Sequence, residues 1–255
     1  MNEKHIPLVS IIMPAYQCEK YIEEAIQSVM QQTYTNWELL VTEDHSHDNT
    51  WRILRQLASR DIRIRLFRTP CNQGAAMARN LSLTHASGRY IAYLDADDAW
   101  KPDKLEKQIY FMQSSNIAMC YAGIETVNEN GGHLNYVKVP TTIDYNAFLS
   151  NTLTASSVMV IDTQKIDVTL LTMRKMPRED LCTWLQILKT GIEAKGINEP
   201  LAIYRKHENS SSANLLKMAG QTWSVYREVE RLPLTKAIYH FVGYVWHAMK
   251  KRMKD

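Results

Sequence analysis

The sequence predicts an α/β fold: a three-layer sandwich with a central, mostly parallel sheet, followed by amphipathic C-terminal helices. Apolar, strand-like runs alternate with helical patterns through the first 120 residues. Such alternation is typical of parallel strands joined by crossover helices that cover both faces of the sheet. The composition agrees with a globular chain, since 45% of the 255 residues are apolar and 22% are charged.

The first half opens with residues 8–13, a nearly continuous β-rich run that Pro14 interrupts. A run of this kind is expected for a parallel strand that is covered on both faces. Helical periodicity follows, with Ile22, Ala25, Ile26, Val29 and Met30 on one face. Further strands are predicted at residues 37–42, 62–67, 90–94 and 117–121, and further helices at about 49–60, 74–86 and 101–113.

The second half has a different character. Residues 122–160 hold short β-like stretches around Gly131, Gly132 and Pro140, and a helix is predicted from Asp180 to Lys189. A short strand at 202–204 precedes a polar segment at 205–212. The last 40 residues predict two helices, about 214–231 and 234–253, separated at Pro233. We therefore divide the chain into a domain at 1–212, with halves of about 1–120 and 121–212, and a helical appendage at 213–255.

Charge and cysteine content exclude several classes of protein. Thirty basic against 27 acidic residues leave a net charge of +3, which is too small for a general nucleic-acid binder. The four cysteines form no metal-binding pair and fit a reducing compartment. The early apolar run is too short for a secretory signal, and no stretch approaches the ~20 apolar residues of a membrane-spanning helix. We expect the protein to stay on the cytosolic side.

Acidic residues follow two of the predicted strands. Glu43 and Asp44 come after the second strand, and Asp95, Asp97 and Asp98 come after the fourth. Ligands of open parallel sheets bind beyond the carboxyl ends of strands. A hard divalent cation binds one or two carboxylates together with substrate phosphates, so the cluster predicts a Mg²⁺ or Mn²⁺ site for a diphosphate. The alternative is a solvated acidic turn in which Asp98 caps the following helix.

The chain resembles the family 2 glycosyltransferases, which have the GT-A fold. The resemblance rests on motifs in the family's order: VSIIMPAYQCEKYIEEAIQSVMQQTY, WELLVTEDHSHDNT, NQGAAMARNLSLTHASGRYIAYLDADDAWKPDKLEKQ, REDLCTWLQIL and YRKHENSSS. It covers about residues 7–212. The tail resembles the bacterial subgroup that builds teichuronic acid, capsule or O-antigen polysaccharides. The chain departs from the family at Gln17, where Asn is usual, and at Glu43-Asp44-His45-Ser46, where Asp-Asp-Gly-Ser is usual.

The resemblance implies a role for individual residues. A nucleotide contact is implied for Arg79 and for the loop of Pro14, Ala15 and Tyr16, and a hydrogen bond to uracil is implied for Asp44. The acidic block implies contacts to the ribose and the diphosphate, with Asp95 and Asp97 binding substrate and Asp97 and Asp98 binding the metal. Further on, the resemblance implies that Asp180 is the catalytic base and that His207 lies near the diphosphate.

These roles predict an inverting, metal-dependent transferase that moves a sugar from a UDP-sugar to a lipid-linked or growing saccharide. One carboxylate base and one metal support direct in-line displacement. The rival is a catalytically inactive protein that binds nucleotide or acts as a scaffold. A helix cap remains the alternative for Asp180, a solvated side chain for Arg79, and a surface histidine for His207. A dinucleotide oxidoreductase or nucleotidyltransferase would need a Gly-rich loop after the first strand, and Pro14-Ala15-Tyr16-Gln17 stands there.

The predicted helix at 234–253 combines an apolar stripe, aromatic residues and a basic end. Such a helix can lie in the interface of a membrane with anionic headgroups. We therefore expect a peripheral protein on the inner face of the cell membrane, where a lipid-linked acceptor would be found. The alternatives are a helix packed on the catalytic domain or a dimer contact.

Overall fold

The computed structural model describes residues 6–151, 155–207 and 214–252. Within them, one mixed sheet contains β1 (Val9–Ala15), β2 (Trp37–Glu43), β3 (Ile64–Arg68), β4 (Tyr90–Tyr93), β5 (Ala99–Trp100), β6 (Met119–Val127), β7 (His133–Val137), β8 (Thr142–Ile143), β9 (Val160–Asp162) and β10 (Ala194–Arg205). The strand order is β3-β2-β1-β4-β9-β6-β10-β5, with β7 beside β6 and β8 beside β10. The predicted α/β class is confirmed.

The helices described are α1 (Ile22–Met30), α2 (Thr50–Ala58), α3 (Ala75–Leu83), α4 (Lys104–Ser114), α5 (Tyr145–Leu149), α6 (Glu179–Leu188), α7 (Leu215–Ser224) and α8 (Leu234–Arg252). Most begin or end a few residues from their predicted bounds. A 3₁₀ turn at Ser156–Val158 and a π-helix at Val225–Val229 complete the elements that matter for the site.

The first half of the sheet has the predicted parallel arrangement. β1 pairs in parallel with β2 on one side and with β4 on the other, and β2 pairs in parallel with β3. All seven residues of β2 are buried, as are six of the seven in β1. Burial on both faces explains why these strands are continuous apolar runs rather than alternating ones. The carboxyl ends of β1, β2 and β4 therefore open at one edge.

The second half departs from a mostly parallel sheet. β9 runs antiparallel to β4 and to β6, and β5, β7 and β8 each pair antiparallel with a neighbour. β10 extends over twelve residues, where the sequence predicted a short strand at 202–204. The register of its pairing with β6 shifts on both sides of Pro200. Periodicity alone therefore does not predict the whole strand.

The C-terminal helices pack on the rest of the protein. Val225, Tyr226, Leu232 and Ala237 belong to the main hydrophobic core, and α8 contacts α5. The predicted helix at 214–231 is interrupted, because its second half is the π-helix. The predicted domain boundary at 212 lies outside the described residues and stays a prediction. Across the described ranges, no helix has the length and apolar character needed to cross a bilayer.

Candidate active site

The loop after β1 is joined to the loop after β2. The Asp44 N–H donates a hydrogen bond to the Ala15 carbonyl at 2.8 Å, and the Gln17 N–H donates to Ser46 Oγ at 3.0 Å. Tyr16 is 42% exposed at the mouth of this edge. His45 has a φ of 62°, so it adopts the left-handed conformation for which glycine is favoured. The tight loop is therefore present despite the departure from the family pattern.

Asp44 follows the carboxyl end of β2 and is only 2% exposed. Its carboxylate accepts hydrogen bonds from Thr69 Oγ1 at 2.6 Å, from the Gln73 N–H at 2.9 Å and from the Gly74 N–H at 2.7 Å. Gly74 is the residue just before α3, where a negative charge is stabilised by the helix dipole. Asp44 therefore fixes the segment that leads into α3. Its predicted contact with uracil stays a prediction.

Asp98 is buried within the acidic block. Its Oδ2 accepts a hydrogen bond from Ser157 Oγ at 2.6 Å, and its Oδ1 accepts from the Arg205 N–H at 3.2 Å. Burial, together with the charges of Asp97 and Asp95, raises the pKa of Asp98 well above its ordinary value. Both carboxylate oxygens hold protein groups, so Asp98 joins β10 and the 3₁₀ turn to the end of β4.

Asp97 has a more open position than Asp98, with 35% of its side chain exposed. His207 Nε2 lies 2.9 Å from Asp97 Oδ2, and the imidazole stacks on Tyr21 with ring centroids 5.5 Å apart. Burial and the charge of Asp95 raise the pKa of Asp97, while the contact with His207 lowers it. The structure thus brings together two predicted site residues that are 110 positions apart.

Arg79 joins the acidic block to Glu179, the residue before the predicted base. Its Nη2 donates to Asp95 Oδ1 at 2.6 Å, and its Nη1 donates to Glu179 Oε1 at 2.9 Å. The guanidinium is buried, so the alternative of a solvated arginine is wrong. Burial by itself lowers the pKa of Arg79, but the charges of Asp95 and Glu179 outweigh it and raise the pKa. A permanent positive charge therefore lies between the two acidic groups.

Asp180 is half-buried in the first turn of α6. Its Oδ1 accepts a hydrogen bond from the Leu181 N–H at 2.7 Å. Burial raises the pKa of Asp180, the charge of Glu179 raises it further, and Arg178 and Arg79 oppose the shift. Arg178 precedes the helix with a φ of 59°, and its Nη1 donates to Thr222 Oγ1 of α7 at 3.2 Å. A carboxylate with a raised pKa is a stronger proton acceptor than an ordinary aspartate.

The comparison with protein families decides the identity of the chain. The model described as glycosyl transferase family 2 matches residues 10–169, more than half of the chain. The chain belongs to this family and is a glycosyltransferase.

Curated relatives match over nearly the full length. The chain is 42% identical over 249 residues to "Putative teichuronic acid biosynthesis glycosyltransferase TuaG" of Bacillus subtilis (strain 168), covering 97% of this chain and 98% of the relative. It is 40% identical over 252 residues to "UDP-Glc:alpha-D-GlcNAc-diphosphoundecaprenol beta-1,3-glucosyltransferase WfgD" of Escherichia coli, covering 97% of this chain and 96% of the relative.

Solved structures support the GT-A-type fold. The glycosyltransferase aligns with residues 1–349 of S. aureus TarS in complex with UDP-GlcNAc at a TM-score of 0.70 and 17% identity, over 93% of this chain and 71% of that one. It aligns with the mannosyltransferase PcManGT from Pyrobaculum calidifontis, in complex with GDP-Man and Mn²⁺, at a TM-score of 0.72 and 20% identity, over 94% and 70% of the two chains. At this identity the likeness is evidence for the fold.

The donor groups at the acidic block fit a divalent cation that also binds substrate. Among the described residues, no three His, Cys, Asp or Glu side chains form a group able to hold a metal alone. Asp97 and His207 nevertheless converge at a partly open position, and Mg²⁺ needs few protein ligands when phosphates supply the others. Of the two predicted metal ligands, Asp97 is partly exposed and pairs with His207 through Oδ2, whereas Asp98 is buried and each of its carboxylate oxygens accepts one hydrogen bond.

Sequence reasoning missed several residues that shape the site. Ser157 had no recognisable motif, although it contacts both Asp98 and the Asp95 N–H. Arg205 is buried, pairs with Glu24 at 2.7 Å and lies over the Tyr21 ring at 5.1 Å. The polar segment that begins at Arg205 was a signal for this residue, but residues 208–212 of that segment lie outside the described structure.

Proposed function

We propose that this glycosyltransferase transfers a sugar from a UDP-sugar to a lipid-linked or growing saccharide during synthesis of a bacterial surface polysaccharide, with inversion at the anomeric carbon. The names of the two relatives support this proposal. One names teichuronic acid biosynthesis, and the other names UDP-Glc and a diphosphoundecaprenol-linked sugar. The TarS complex with UDP-GlcNAc supports the choice of a uridine nucleotide.

The observation that carries the proposal is the chain of contacts from Asp95 through Arg79 to Glu179, the neighbour of Asp180. It links the acidic block, where a diphosphate would bind, to a half-buried carboxylate of raised pKa. A transferase needs its diphosphate site and its base to be separated by about the length of one sugar.

In the proposed reaction, Asp180 accepts the proton of the acceptor hydroxyl as that oxygen attacks the anomeric carbon. The bond from the anomeric carbon to the diphosphate oxygen breaks, and UDP leaves with the bonding electrons. Because attack and departure occur on opposite sides, an α-linked donor gives a β-linked product. The nucleotide side would be lined by Asp44, Pro14, Ala15 and Tyr16. Arg79 would keep Asp95 and Glu179 in fixed positions relative to each other.

Asp97 and His207 would hold Mg²⁺ or Mn²⁺. When bound, the cation would neutralise the negative charge that develops on the departing diphosphate. Asp98 would be held beside Asp97 by its hydrogen bonds to Ser157 and the Arg205 backbone, and its predicted role as a second metal ligand stays a prediction. The Mn²⁺ in the PcManGT complex supports a divalent cation in this fold.

The central test replaces Asp180 with asparagine. A residue that acts as a general base contributes about 10²–10⁴-fold to the rate, so Asp180→Asn is expected to lower kcat by that factor. The Kd for UDP in the presence of Mn²⁺ should change less than twofold, because Asp180 does not face the nucleotide in this proposal. Radiolabelled sugar transfer and calorimetric titration with UDP give the two readouts.

Controls separate a catalytic role from a folding role. The Asp180→Asn protein should retain the melting temperature of the wild type. Asp97→Asn should weaken the effect of Mn²⁺ on UDP binding, and EDTA should have the same effect on the wild type. Retention of full transfer activity by Asp180→Asn would contradict the proposal and favour a nucleotide-binding scaffold.

We also propose that α8 binds the inner face of the cell membrane. Leu234, Ile238, Val242, Val245 and Met249 form one exposed apolar stripe at helical spacing, and Tyr239 and Trp246 flank it. Ala237 and Tyr244, on the opposite side, are buried. The helix ends in Lys250, Lys251 and Arg252, which suit anionic headgroups.

Vesicle sedimentation tests this attachment. The wild type should bind vesicles that contain phosphatidylglycerol, less so at high salt, and Val242→Asp should reduce the bound fraction severalfold. Ile62→Asp is the matched control, since Ile62 is an equally apolar side chain that is 95% exposed elsewhere. Equal binding by both variants would exclude this surface, and a dimer that dissociates in Val242→Asp would assign it to a second copy.

A further inference from the structure

A groove of about 350 Å³ runs between α7, the π-helix and the segment before α6. Its apolar lining consists of Met176, Pro177, Leu216, Val225 and Val229, with Gly220 between them. Lys217, Gln221, Ser224 and Glu228 complete the lining. The volume lies near the lower end of the range of about 300–1,000 Å³ that small-molecule pockets occupy. None of the residues assigned to the donor site lines this groove.

The groove is directly connected to the candidate base. Met176 and Pro177 form part of its lining, and Asp180 follows Pro177 by three residues, a distance that is at most about 11 Å along the chain. Arg178 lies between them and donates to Thr222 Oγ1 of α7 at 3.2 Å. The segment that carries the base and the helix that lines the groove are thus held together by a hydrogen bond.

Two local features keep the groove open. The π-helix contributes Val225, Glu228 and Val229, and such helices are rare insertions that occur frequently at functional sites. Gly220 contributes an empty position, since a Cβ built there meets no heavy atom within 4 Å. Glycine is less favourable than alanine inside a helix, and at this position it leaves part of the lining without a side chain.

We propose that this groove binds the hydrocarbon chain of a polyprenyl diphosphate-linked acceptor, next to its diphosphate. The inference rests on the proposed function, because it assumes that Asp180 deprotonates the acceptor sugar. When a hydroxyl of the acceptor sugar reaches Asp180, the diphosphate on the anomeric carbon of that sugar lies one sugar ring away from Asp180. The lipid chain begins on the far side of the diphosphate. The groove lies at a comparable distance from the base.

Two cations at the groove fit a diphosphate, although Glu228 also belongs to the lining. Lys217 lines it, and the exposed Lys175 precedes Met176 in the segment that borders it. A diphosphate at the mouth would meet these cations, while the apolar interior would cover the first part of the chain. Leu216 is 88% exposed at the rim, and its burial by a lipid would be favourable.

The experiment narrows the groove at Gly220. Gly220→Phe fills the empty position, and Gly220→Ala is the matched control because it adds one methyl group and leaves most of the groove open. The probes are GlcNAc-diphosphate acceptors that carry either a farnesyl or a propyl group. Gly220→Phe should raise KM for the farnesyl acceptor at least tenfold and leave KM for the propyl acceptor and the UDP-sugar within twofold. Gly220→Ala should stay within twofold throughout.

A second variant tests the diphosphate contact. Lys217→Gln should raise KM for the farnesyl and the propyl acceptors alike, since both contain the diphosphate. Circular dichroism and thermal melting establish that each variant folds. If Gly220→Phe raises KM for both acceptors equally, or if the wild type uses both equally well, the assignment of the groove to the lipid is overturned.

A binding measurement tests the groove proposal independently of the transfer reaction. Farnesyl diphosphate, which cannot accept a sugar, should bind the wild type at least tenfold more tightly than inorganic diphosphate, and Gly220→Phe should abolish the difference. If that binding is observed while no UDP-sugar is consumed, the proposed function fails and the lipid groove stands. If UDP-sugar is hydrolysed with Mn²⁺ but farnesyl diphosphate does not bind, the donor chemistry stands and the groove proposal fails.

Discussion

The carboxylates differ between two regions of the molecule. One is the carboxyl ends of β2 and β4, called the donor edge because the nucleotide-sugar is proposed to bind there; the other is the start of α6, called the acceptor side because the acceptor is proposed to bind there. At the donor edge, Asp44 accepts hydrogen bonds from a segment 25–30 residues away, and Asp98 accepts them from Ser157 and Arg205. On the acceptor side, Asp180 accepts a hydrogen bond from the adjacent Leu181 N–H. The donor-edge acids hold distant loops in place, whereas the hydrogen bond of Asp180 lies within its own helical turn.

This difference follows from what each side must do. The proposed nucleotide-binding edge requires fixed loops, and carboxylates that accept hydrogen bonds from distant segments supply directional links. A base must bind and release a proton during each turnover, so a carboxylate locked by several distant donors would be a poor one. We therefore expect mutations at the donor edge to lower mainly the free energy of unfolding, and mutations at or beside Asp180 to change mainly the rate of the reaction.

The largest expected effect is at Asp44. Asp44→Ala would leave Thr69 Oγ1 and two backbone N–H groups without their acceptor, with an expected loss of about 2–4 kcal/mol in the free energy of unfolding. Urea denaturation measures this loss. Asp180→Asn is the comparison variant and should leave the free energy of unfolding unchanged or slightly higher, since the raised pKa of Asp180 shows that folding disfavours its charge. Equal losses would remove the distinction between the two sides.

Lys104, in the first turn of α4, has a buried Nζ without a hydrogen-bond partner among the described residues. The ammonium lies 3.9 Å from the centroid of the Trp100 ring, and burial lowers its pKa from 10.5 to about 7. Between these values the unfolded chain binds more protons than the folded protein. The free energy of unfolding should therefore rise with pH from about 7 to about 10.

Lys104→Met tests that pH dependence. The variant should lose most of the rise and should be more stable than the wild type by up to a few kcal/mol at neutral pH and below, because no charge has to be buried. Urea denaturation at a series of pH values gives the result. A wild type whose stability is constant from pH 7 to 10 would show that Lys104 has a polar partner after all.

The sequence predicted the strand ends of the first half but not the tertiary contacts around them. The strand ends of the donor half could be predicted because parallel, fully buried strands give continuous apolar runs, and the acids that follow them stand out. The partners of Asp98 could not be predicted, since Ser157 and Arg205 lie 59 and 107 residues away. Ser157 has no motif, and the motif that contains Arg205 does not indicate that its N–H contacts Asp98. The antiparallel strands and the bulged β10 also escaped, because their pairing depends on tertiary contacts rather than on local periodicity.

A smaller effect is expected at Ser157, which holds the acidic block from the side of β9. Its Oγ donates to Asp98 Oδ2 at 2.6 Å and accepts from the Asp95 N–H at 3.1 Å. Ser157→Ala should cost about 1–2 kcal/mol in the free energy of unfolding. Ser156→Ala is the matched control, since Ser156 is also buried but its Oγ has no hydrogen-bond partner within the described residues. Identical losses in the two variants would indicate packing instead of the bond to Asp98.

The smallest expected effect is a shift in the pH dependence of catalysis at Glu179. Burial raises the pKa of Asp180, and the negative charge of Glu179 raises it further. Protonated Asp180 cannot accept the proton of the acceptor hydroxyl, so kcat/KM should fall as the pH decreases through that pKa. Glu179→Gln removes the neighbouring charge and should move this acidic limb to lower pH by a fraction of a unit.

The position of the acidic limb, rather than the size of the rate, distinguishes an electrostatic role of Glu179 from a structural one. Loss of the hydrogen bond to Arg79 Nη1 would lower kcat at every pH without moving the limb. Glu193→Gln is the control, because Glu193 pairs with Lys195 far from the acidic block in sequence and in the sheet. A limb that moves to higher pH in Glu179→Gln would mean that Arg79, released from Glu179, no longer counteracts the raised pKa of Asp180.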